Sequence, residues 1–195
     1  MVQPVAVRDA PVGLVLELEK VPAGIGVRGR TSLVHFRCRV HDEPAVSAQA
    51  SSALEAGHLL EAGQLYREGR LFHGPTFQVL HQVLVSENGK HEGRIDSARL
   101  RAVYGMEQWD RMTQWLDGAF QLLGLAALLK KRALALPVAI ERLSIPGPWG
   151  HPAFVTLTLQ DMRIGAREVT GDVVLAAEGH QAIIHLEGVR LRVLS

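Results

Sequence analysis

A carboxylate and an amide lie inside the most apolar segment of the sequence, WLDGAFQLLGLAALLKK at residues 115–131. Asp117 and Gln121 are four residues apart, so in a helix they share one face about one turn from each other. An unpaired buried charge is costly, and such a carboxylate therefore has a strong partner or a role. Either Asp117 caps a helix or pairs with an arginine such as Arg101 or Arg142, or it is a catalytic acid. In the second case apolar surroundings raise its pKa and Gln121 orients it.

The other motifs with chemical meaning are weaker. GIGVRG at 24–29 has the spacing of a dinucleotide-binding loop, but it precedes a strand pattern instead of opening a helix, which favours a hairpin loop. The nine histidines contain no H-E-x-x-H motif, and His180 and His185 would point to opposite faces of a strand. Cys38 is the only cysteine, which excludes an internal disulfide and a multi-cysteine zinc site. No metal site is predicted.

The composition is that of an ordinary globular protein. The 195 residues are 47% hydrophobic and 21% charged, enough for one good-sized core or two small ones. The net charge of +1 gives no general attraction to nucleic acid or to a membrane surface. Charged residues interrupt every apolar run near the N-terminus, and the run at 115–129 is too short to span a bilayer, so we expect a cytoplasmic protein.

Periodicity predicts an α+β fold in which an antiparallel sheet wraps around one long apolar helix. Apolar alternation predicts strands at 12–20, 32–40 and, more weakly, 44–52. Glycines interrupt the next segment, which we interpret as a linker and a short helix. Further strands are predicted at 73–88, 94–104, 138–145, 154–164, 168–178 and 182–194, and the helix at 109–131.

Four segments in this order resemble the second half of a polyketide synthase dehydratase domain. They are LYREGRLFHGPTFQVL (65–80), WLDGAFQLLGL (115–125), LPVAIERLSI (136–145) and LEGVRLRVLS (186–195). That family has a double hotdog fold, and its Asp-x-x-x-Gln/His motif is matched by Asp117 and Gln121. Its Tyr-Gly-Pro-x-Phe-Gln-type segment is matched by His73, Gly74, Pro75, Phe77 and Gln78.

The resemblance also implies a division of the chain. Strands of a partial first hotdog are expected at 1–52, a linker and short helix at 53–72, and a complete hotdog unit at 73–195. Histidine in place of tyrosine at position 73, and the phrase LPVAIERL, are closer to the dehydratases of enediyne and polyunsaturated-fatty-acid synthases.

The resemblance implies removal of water from a 3-hydroxyacyl chain held on the phosphopantetheine of an acyl carrier protein, with no other cofactor. In this family a histidine takes the C2 proton and an aspartate protonates the departing 3-hydroxyl group. Asp117 would be that acid, oriented by Gln121. The positive end of the helix favours the carboxylate, so desolvation must outweigh it. Residues expected to contact the substrate or shape its tunnel are Gly74, Pro75, Phe77, Gln78 and Phe120.

The family's general base has no counterpart in the sequence. It is a histidine in a His-x-x-x-Gly-x-x-x-x-Pro segment, which none of the nine histidines fits. An upstream segment or a second chain would supply it, or His73 replaces it. Otherwise the chain is a non-catalytic acyl-binding or dimerisation module, or a product-template-like cyclisation domain.

The expected partners follow from this incomplete site. They are an acyl carrier protein and either a second hotdog half, in cis or in trans, or another copy of the chain. An incomplete first unit leaves a strand edge that favours such association. No nucleic-acid or membrane partner is expected.

Overall fold

The computed structural model describes the backbone of residues 14–19, 37–42, 57–86, 90–104, 108–145, 152–177 and 182–194. Side chains are described from residue 57 onward within these ranges, apart from 101–104 and 108–111. The strands are β1 (Leu14–Glu19), β2 (Arg37–Asp42), β3 (Gly57–Glu61), β4 (Leu80–Ser86), β5 (His91–Asp96), β6 (Ala135–Ala139), β7 (Arg142–Ile145), β8 (Phe154–Ile164), β9 (Glu168–Ala177) and β10 (Ala182–Val193). The helices are α1 (Ala62–Arg67), α2 (Ser97–Tyr104) and α3 (Gln108–Lys131), and a 3-10 turn spans Pro75–Phe77.

The strands form one antiparallel sheet in the order β2-β1-β7-β10-β9-β8-β5-β4-β3, and β6 pairs with the end of β10. β1 pairs with β7 in the register Leu16↔Leu143. The strands near the N-terminus are therefore continuous with the sheet that the rest of the chain builds. The opposite edge is formed by β3, which pairs with β4.

The long helix α3 is the element around which the sheet wraps. It contacts β4, β5, β6, β8, β9 and β10. Its buried apolar residues are Trp115, Ala119, Leu122, Leu123, Leu125, Ala126 and Ala127. They occupy more than one face of the helix, which is why the sequence is apolar in almost every position here. Lys130 and Lys131 end the helix, where its negative end favours cations.

Gly118 allows α3 to lie very close to β5. A Cβ atom at this position would be 2.7 Å from Cδ1 of Ile95 and 3.3 Å from Cγ2 of Val79, closer than van der Waals contact allows.

The prediction of a single strand at 94–104 is wrong beyond Asp96. β5 ends there, and α2 begins at Ser97. The Asp96 carboxylate accepts a hydrogen bond from the backbone N–H of Arg99 at 2.9 Å, as a helix N-cap does. The backbone N–H of Ser97 donates to the carbonyl of Ala153 at 2.9 Å. The cap outweighed the alternating pattern, which continues into the helix.

The other element predictions are confirmed or shifted. The helix at 109–131 and the three C-terminal strands are confirmed, each within a residue or so. The segment predicted as linker also contains the edge strand β3, and the strand predicted at 138–145 is divided into β6 and β7. β2 includes the last four residues of the strand predicted at 32–40, and the first five lie outside the described residues. The strand predicted at 73–88 begins only after the 3-10 turn. The segments at 24–29 and 44–52 lie outside the described residues.

Candidate active site

The carboxyl group of Asp117 lies in the third turn of α3, nine residues after Gln108, where the helix begins. The helix dipole acts mainly within the first turn, so the positive end of α3 has little influence on this group. The expectation that it would favour the carboxylate is therefore wrong. The side chain is 24% exposed, so the carboxyl group is mostly withdrawn from water but still reachable.

Gln121 holds one oxygen of this carboxyl group. Its Nε2 donates a hydrogen bond to Oδ2 of Asp117 at 2.5 Å and another to the backbone carbonyl of Phe77 at 2.6 Å. A carbonyl oxygen only accepts, so the amide nitrogen must face Phe77, and the amide orientation is fixed by this contact. Both N–H groups of the amide are used.

Tyr66 completes the network from the other side. Its hydroxyl group donates to Oε1 of Gln121 at 2.5 Å and accepts from the backbone N–H of Leu80 at 3.0 Å. Tyr66 lies on α1 and Leu80 begins β4, so the network joins three elements around Gln121. The amide that orients Asp117 is thus held at every polar atom.

His73 is the second titratable group at this site. Its Nε2 lies 3.9 Å from Oδ2 of Asp117, and its side chain is 18% exposed. The ring stacks on Phe72 with the ring centroids 4.7 Å apart. Its backbone carbonyl accepts a hydrogen bond from Nε2 of Gln78 at 3.2 Å.

The 3-10 turn after His73 fixes the direction of the chain at this point. The carbonyl of Gly74 accepts the N–H of Phe77 at 2.9 Å, and Pro75 occupies the first position of the turn. This turn aims the carbonyl of Phe77 at Gln121, whereas the side chain of Phe77 is exposed.

Asp117, His73 and Gln121 line one pocket of about 410 Å³, a volume that includes its mouth open to solvent. The remaining lining residues are Arg70, Leu71, Phe72, Phe120, Gly124, Leu134, Ala135, Leu136 and Pro137. Apart from Arg70, the residues that line the pocket beside Asp117, His73 and Gln121 are apolar or glycine.

Of the residues predicted to contact the substrate, one lines this pocket and four do not. Phe120 lines the pocket beside Asp117. Gly74, Pro75 and Phe77 form the turn beside it and are not among the lining residues, and Gln78 lines a separate recess together with Tyr66. A direct role for these four residues in shaping a substrate tunnel stays a prediction.

Burial raises the pKa of Asp117 above its ordinary value, while the hydrogen bond from Gln121 and the proximity of His73 oppose this change. Burial also raises the pKa of the Tyr66 phenol well above its usual range, and the nearby Asp117 carboxylate adds to that effect. The phenol therefore remains a hydrogen-bond donor at neutral pH. Arg70 also lines the pocket, and its Nε lies 2.9 Å from Oε2 of Glu68.

Sequence reasoning did not identify Tyr66. It lies within the segment 65–80 that carries the resemblance, but its partner Gln121 is 55 residues away, and no local spacing connects the two. Gly124, Leu134 and Leu136 were missed for the same reason, because they meet only when β6 folds back beside α3.

Within the described side chains, no group of three or more histidine, cysteine, aspartate or glutamate residues is arranged to hold a metal ion. Among the helices described, none combines the length and apolar character needed to cross a membrane.

Comparisons with known proteins bear on the family and the fold of the chain. The sequence model of the family described as polyketide synthase dehydratase N-terminal domain matches residues 41–195. No curated protein matches the chain.

Solved structures with a similar fold include three dehydratase domains. The dehydratase domain from the CurF module of the curacin polyketide synthase has a TM-score of 0.65 at 18% identity, over 94% of this chain and 77% of that one. The dehydratase domain of RzxB from Pseudomonas fluorescens has a TM-score of 0.65 at 16% identity, over 94% and 77%. A trans-AT PKS dehydratase domain from Brevibacillus brevis has a TM-score of 0.67 at 16% identity, over 98% and 80%. These likenesses confirm the predicted hotdog fold.

Proposed function

Since the chain belongs to the polyketide synthase dehydratase family, we propose that it removes water from a 3-hydroxyacyl chain delivered by an acyl carrier protein, with Asp117 as the acid. The observation that carries this proposal is the carboxyl group of Asp117, mostly buried at the wall of a pocket and held at Oδ2 by Gln121. A group placed in this way is shielded enough to retain a proton and open enough to deliver it.

The proposed reaction balances without any oxidant or metal. A base removes the proton at C2, and the electron pair of that C–H bond forms the C2–C3 double bond. The C3–O bond breaks, its electron pair remains on oxygen, and the proton of Asp117 converts the leaving hydroxide into water. The raised pKa of Asp117 serves this step because an ionised carboxylate has no proton to give.

Gln121 determines which oxygen of the Asp117 carboxyl group carries the proton that is transferred. Its N–H donates to Oδ2, and in a protonated carboxyl group the carbonyl oxygen is a better acceptor than the hydroxyl oxygen. We therefore assign the transferable proton to Oδ1. Gln121 is a positioning residue in this proposal, and Tyr66 and the carbonyl of Phe77 hold it in place.

His73 does not fit the role of base. A base must approach C2 while the acid approaches the oxygen on C3, and Nε2 of His73 lies only 3.9 Å from Oδ2 of Asp117. An acyl carbon does not fit between two atoms at that distance. We propose that the base comes from a histidine of a second hotdog unit, in cis or in trans, and that His73 tunes the acidity of Asp117.

The test compares Asp117→Asn with Asp161→Asn. Asp161 is exposed and has a φ of 48°, a conformation that asparagine tolerates well, so its substitution is a matched control. Each protein is incubated with a 3-hydroxyacyl carrier protein, with and without candidate partner chains, and loss of water is followed by mass spectrometry.

We expect Asp117→Asn to lower the dehydration rate by about 10²–10⁴-fold and Asp161→Asn to leave it unchanged. Turnover of Asp117→Asn within about threefold of the wild type, far from that range, places the acid elsewhere. If the wild-type chain loses no water from any substrate with any partner, the non-catalytic acyl-binding module becomes the better interpretation.

A further inference from the structure

A second recess, lined by Tyr66 but separate from the pocket beside Asp117, has a strongly polar lining. Its volume is about 770 Å³, including its mouth open to solvent. Leu80 is the one aliphatic side chain among the described residues that line it. Besides Tyr66, the polar lining side chains are those of Glu61, Gln64, Arg67, Gln78, His81 and Arg99. Such a lining favours a charged or strongly polar ligand over an apolar one.

Two arginines make this recess cationic. Arg67 lies on α1 and Arg99 on α2, and Glu61 is the one carboxylate among the described lining residues. Within the part of the chain that the structure describes, neither guanidinium group forms an ion pair, whereas Arg70 is paired with Glu68. Two guanidinium groups and one carboxylate leave a net positive charge around the recess, which favours an anionic ligand.

Amide and imidazole groups add hydrogen-bond donors to this charge. Nε2 of Gln64 donates to Glu68 at 2.6 Å, and Nε2 of Gln78 donates to the carbonyl of His73 at 3.2 Å. An amide nitrogen carries two N–H groups, so each keeps one for a ligand, and the ring of His81 can donate in either protonation state. With the two arginines, five side chains can donate. This number suits the three oxygens and the higher charge of a phosphate monoester better than the two oxygens of a carboxylate.

Gly63 leaves the wall of the recess open beside Arg67. A Cβ atom at Gly63 would meet Nη1 of Arg67 at 3.5 Å, an ordinary contact, and no other atom within 4 Å. The guanidinium group of Arg67 therefore lies back along α1, over Gly63. Because the two positions are one helical turn apart, a glutamate introduced at 63 would pair with Arg67 and compete with any anion bound there.

We propose that this recess is a binding site for a small phosphate monoester, held by Arg67 and Arg99. The inference does not rest on the proposed function, since neither of these arginines lines the pocket beside Asp117. Two sources supply such a phosphate group, a free phosphorylated compound and the phosphopantetheine arm of a carrier protein, and the experiment separates them.

The experiment is equilibrium dialysis of the whole chain against labelled inorganic phosphate at constant ionic strength. Four substitutions change the recess, namely Arg67→Gln, Arg99→Gln, Gly63→Glu and Glu61→Gln. Arg167→Gln removes the same charge at an exposed residue that lines neither concavity, so it is the matched control. All five positions are exposed, and we expect the variants to fold as the wild type does.

We expect the wild type to bind phosphate with a Kd on the order of 1 mM, as suits a small ion at a partly exposed site. Arg67→Gln and Arg99→Gln should each weaken binding about fivefold or more, and Gly63→Glu at least as much. Glu61→Gln should tighten binding about twofold or more, because it removes the opposing charge, and Arg167→Gln should leave the affinity unchanged.

Four results would overturn the proposal. They are no phosphate binding by the wild type up to about 20 mM, acetate bound as tightly as phosphate, Arg99→Gln within about 1.5-fold of the wild type, and an equal loss in Arg167→Gln.

Competition against labelled phosphate distinguishes the two sources. Displacement by phosphopantetheine at a concentration about tenfold below that of unlabelled phosphate, but not by pantetheine, assigns the carrier arm. Displacement by phosphopantetheine no better than by phosphate itself assigns a free phosphorylated compound. Water loss from a 3-hydroxyacyl substrate without phosphate binding would reject this site and retain dehydration, and phosphate binding by a chain that removes no water would do the reverse.

Discussion

Tyr66→Phe is the most direct test of the network that holds Gln121. The substitution removes one oxygen atom and keeps the ring, so packing around α1 is preserved. Two hydrogen bonds are lost, the one to Oε1 of Gln121 at 2.5 Å and the one from the backbone N–H of Leu80 at 3.0 Å. Gln121 and Leu80 are both buried, so water does not readily replace the missing partner.

The structure gives the expected magnitude. A buried polar group that loses its partner costs about 1–3 kcal/mol, and part of this is recovered because the Phe ring no longer buries a hydroxyl group. We expect the free energy of unfolding to fall by about 1–3 kcal/mol. For a chain of this length each kcal/mol lowers Tm by roughly 2–4 °C.

A double-mutant cycle with Gln121→Met separates the two lost bonds. In that background Oε1 of Gln121 no longer exists, so Tyr66→Phe orphans only the N–H of Leu80 and should cost less. Unfolding in urea, with an unchanged m-value, gives the four free energies. A coupling energy below about 0.3 kcal/mol would show that Tyr66 does not hold Gln121 and would refute the network.

Two further predictions concern stability. Gly118→Ala should lower the free energy of unfolding by about 1–2 kcal/mol, because its Cβ meets Ile95. Gly124→Ala should raise the free energy of unfolding by up to about 1 kcal/mol, because its Cβ makes only ordinary contacts and alanine favours a helix over glycine. Thermal denaturation of the two variants shows whether the two effects have opposite signs. Burial and the charge of Lys130 lower the pKa of His91 below 6.5, so the stability linked to this group is present above that pH and is lost as the pH falls. His91→Phe should therefore lose less stability than the wild type as the pH falls from about 7 to 5, as measured by urea unfolding at each pH. An equal loss in the two proteins would contradict this.

Much of the fold was predictable because its signals are local. The length and apolar character of α3, and the alternation in β8, β9 and β10, are periodic patterns that a window of residues contains in full. The error at 94–104 has a local cause as well. The alternation of β5 runs into α2, and only the cap at Asp96 marks the change.

The candidate site was predictable only in part. The spacing of Asp117 and Gln121 on α3 indicated that the two side chains interact, and they share a hydrogen bond in the structure. Tyr66 and Phe77, which bind Gln121, are 55 and 44 residues away from it in the sequence. Only the fold brings them together, and no spacing in the sequence predicts these contacts. The contribution of Leu134 and Leu136 to the pocket depends in the same way on where β6 returns.

The position of Asp117 in the helix explains how its carboxyl group can retain the proton that it donates. In the first turn of α3 the positive end of the helix would favour the carboxylate by about 0.3–1 kcal/mol. In the third turn this influence is largely absent, and burial, which raises the pKa, is opposed by Gln121 and His73. Gln121 does not titrate, so its effect is the same at every pH. The proton on Asp117 is therefore held by burial, against the opposing effects of one neutral amide and one nearby imidazole.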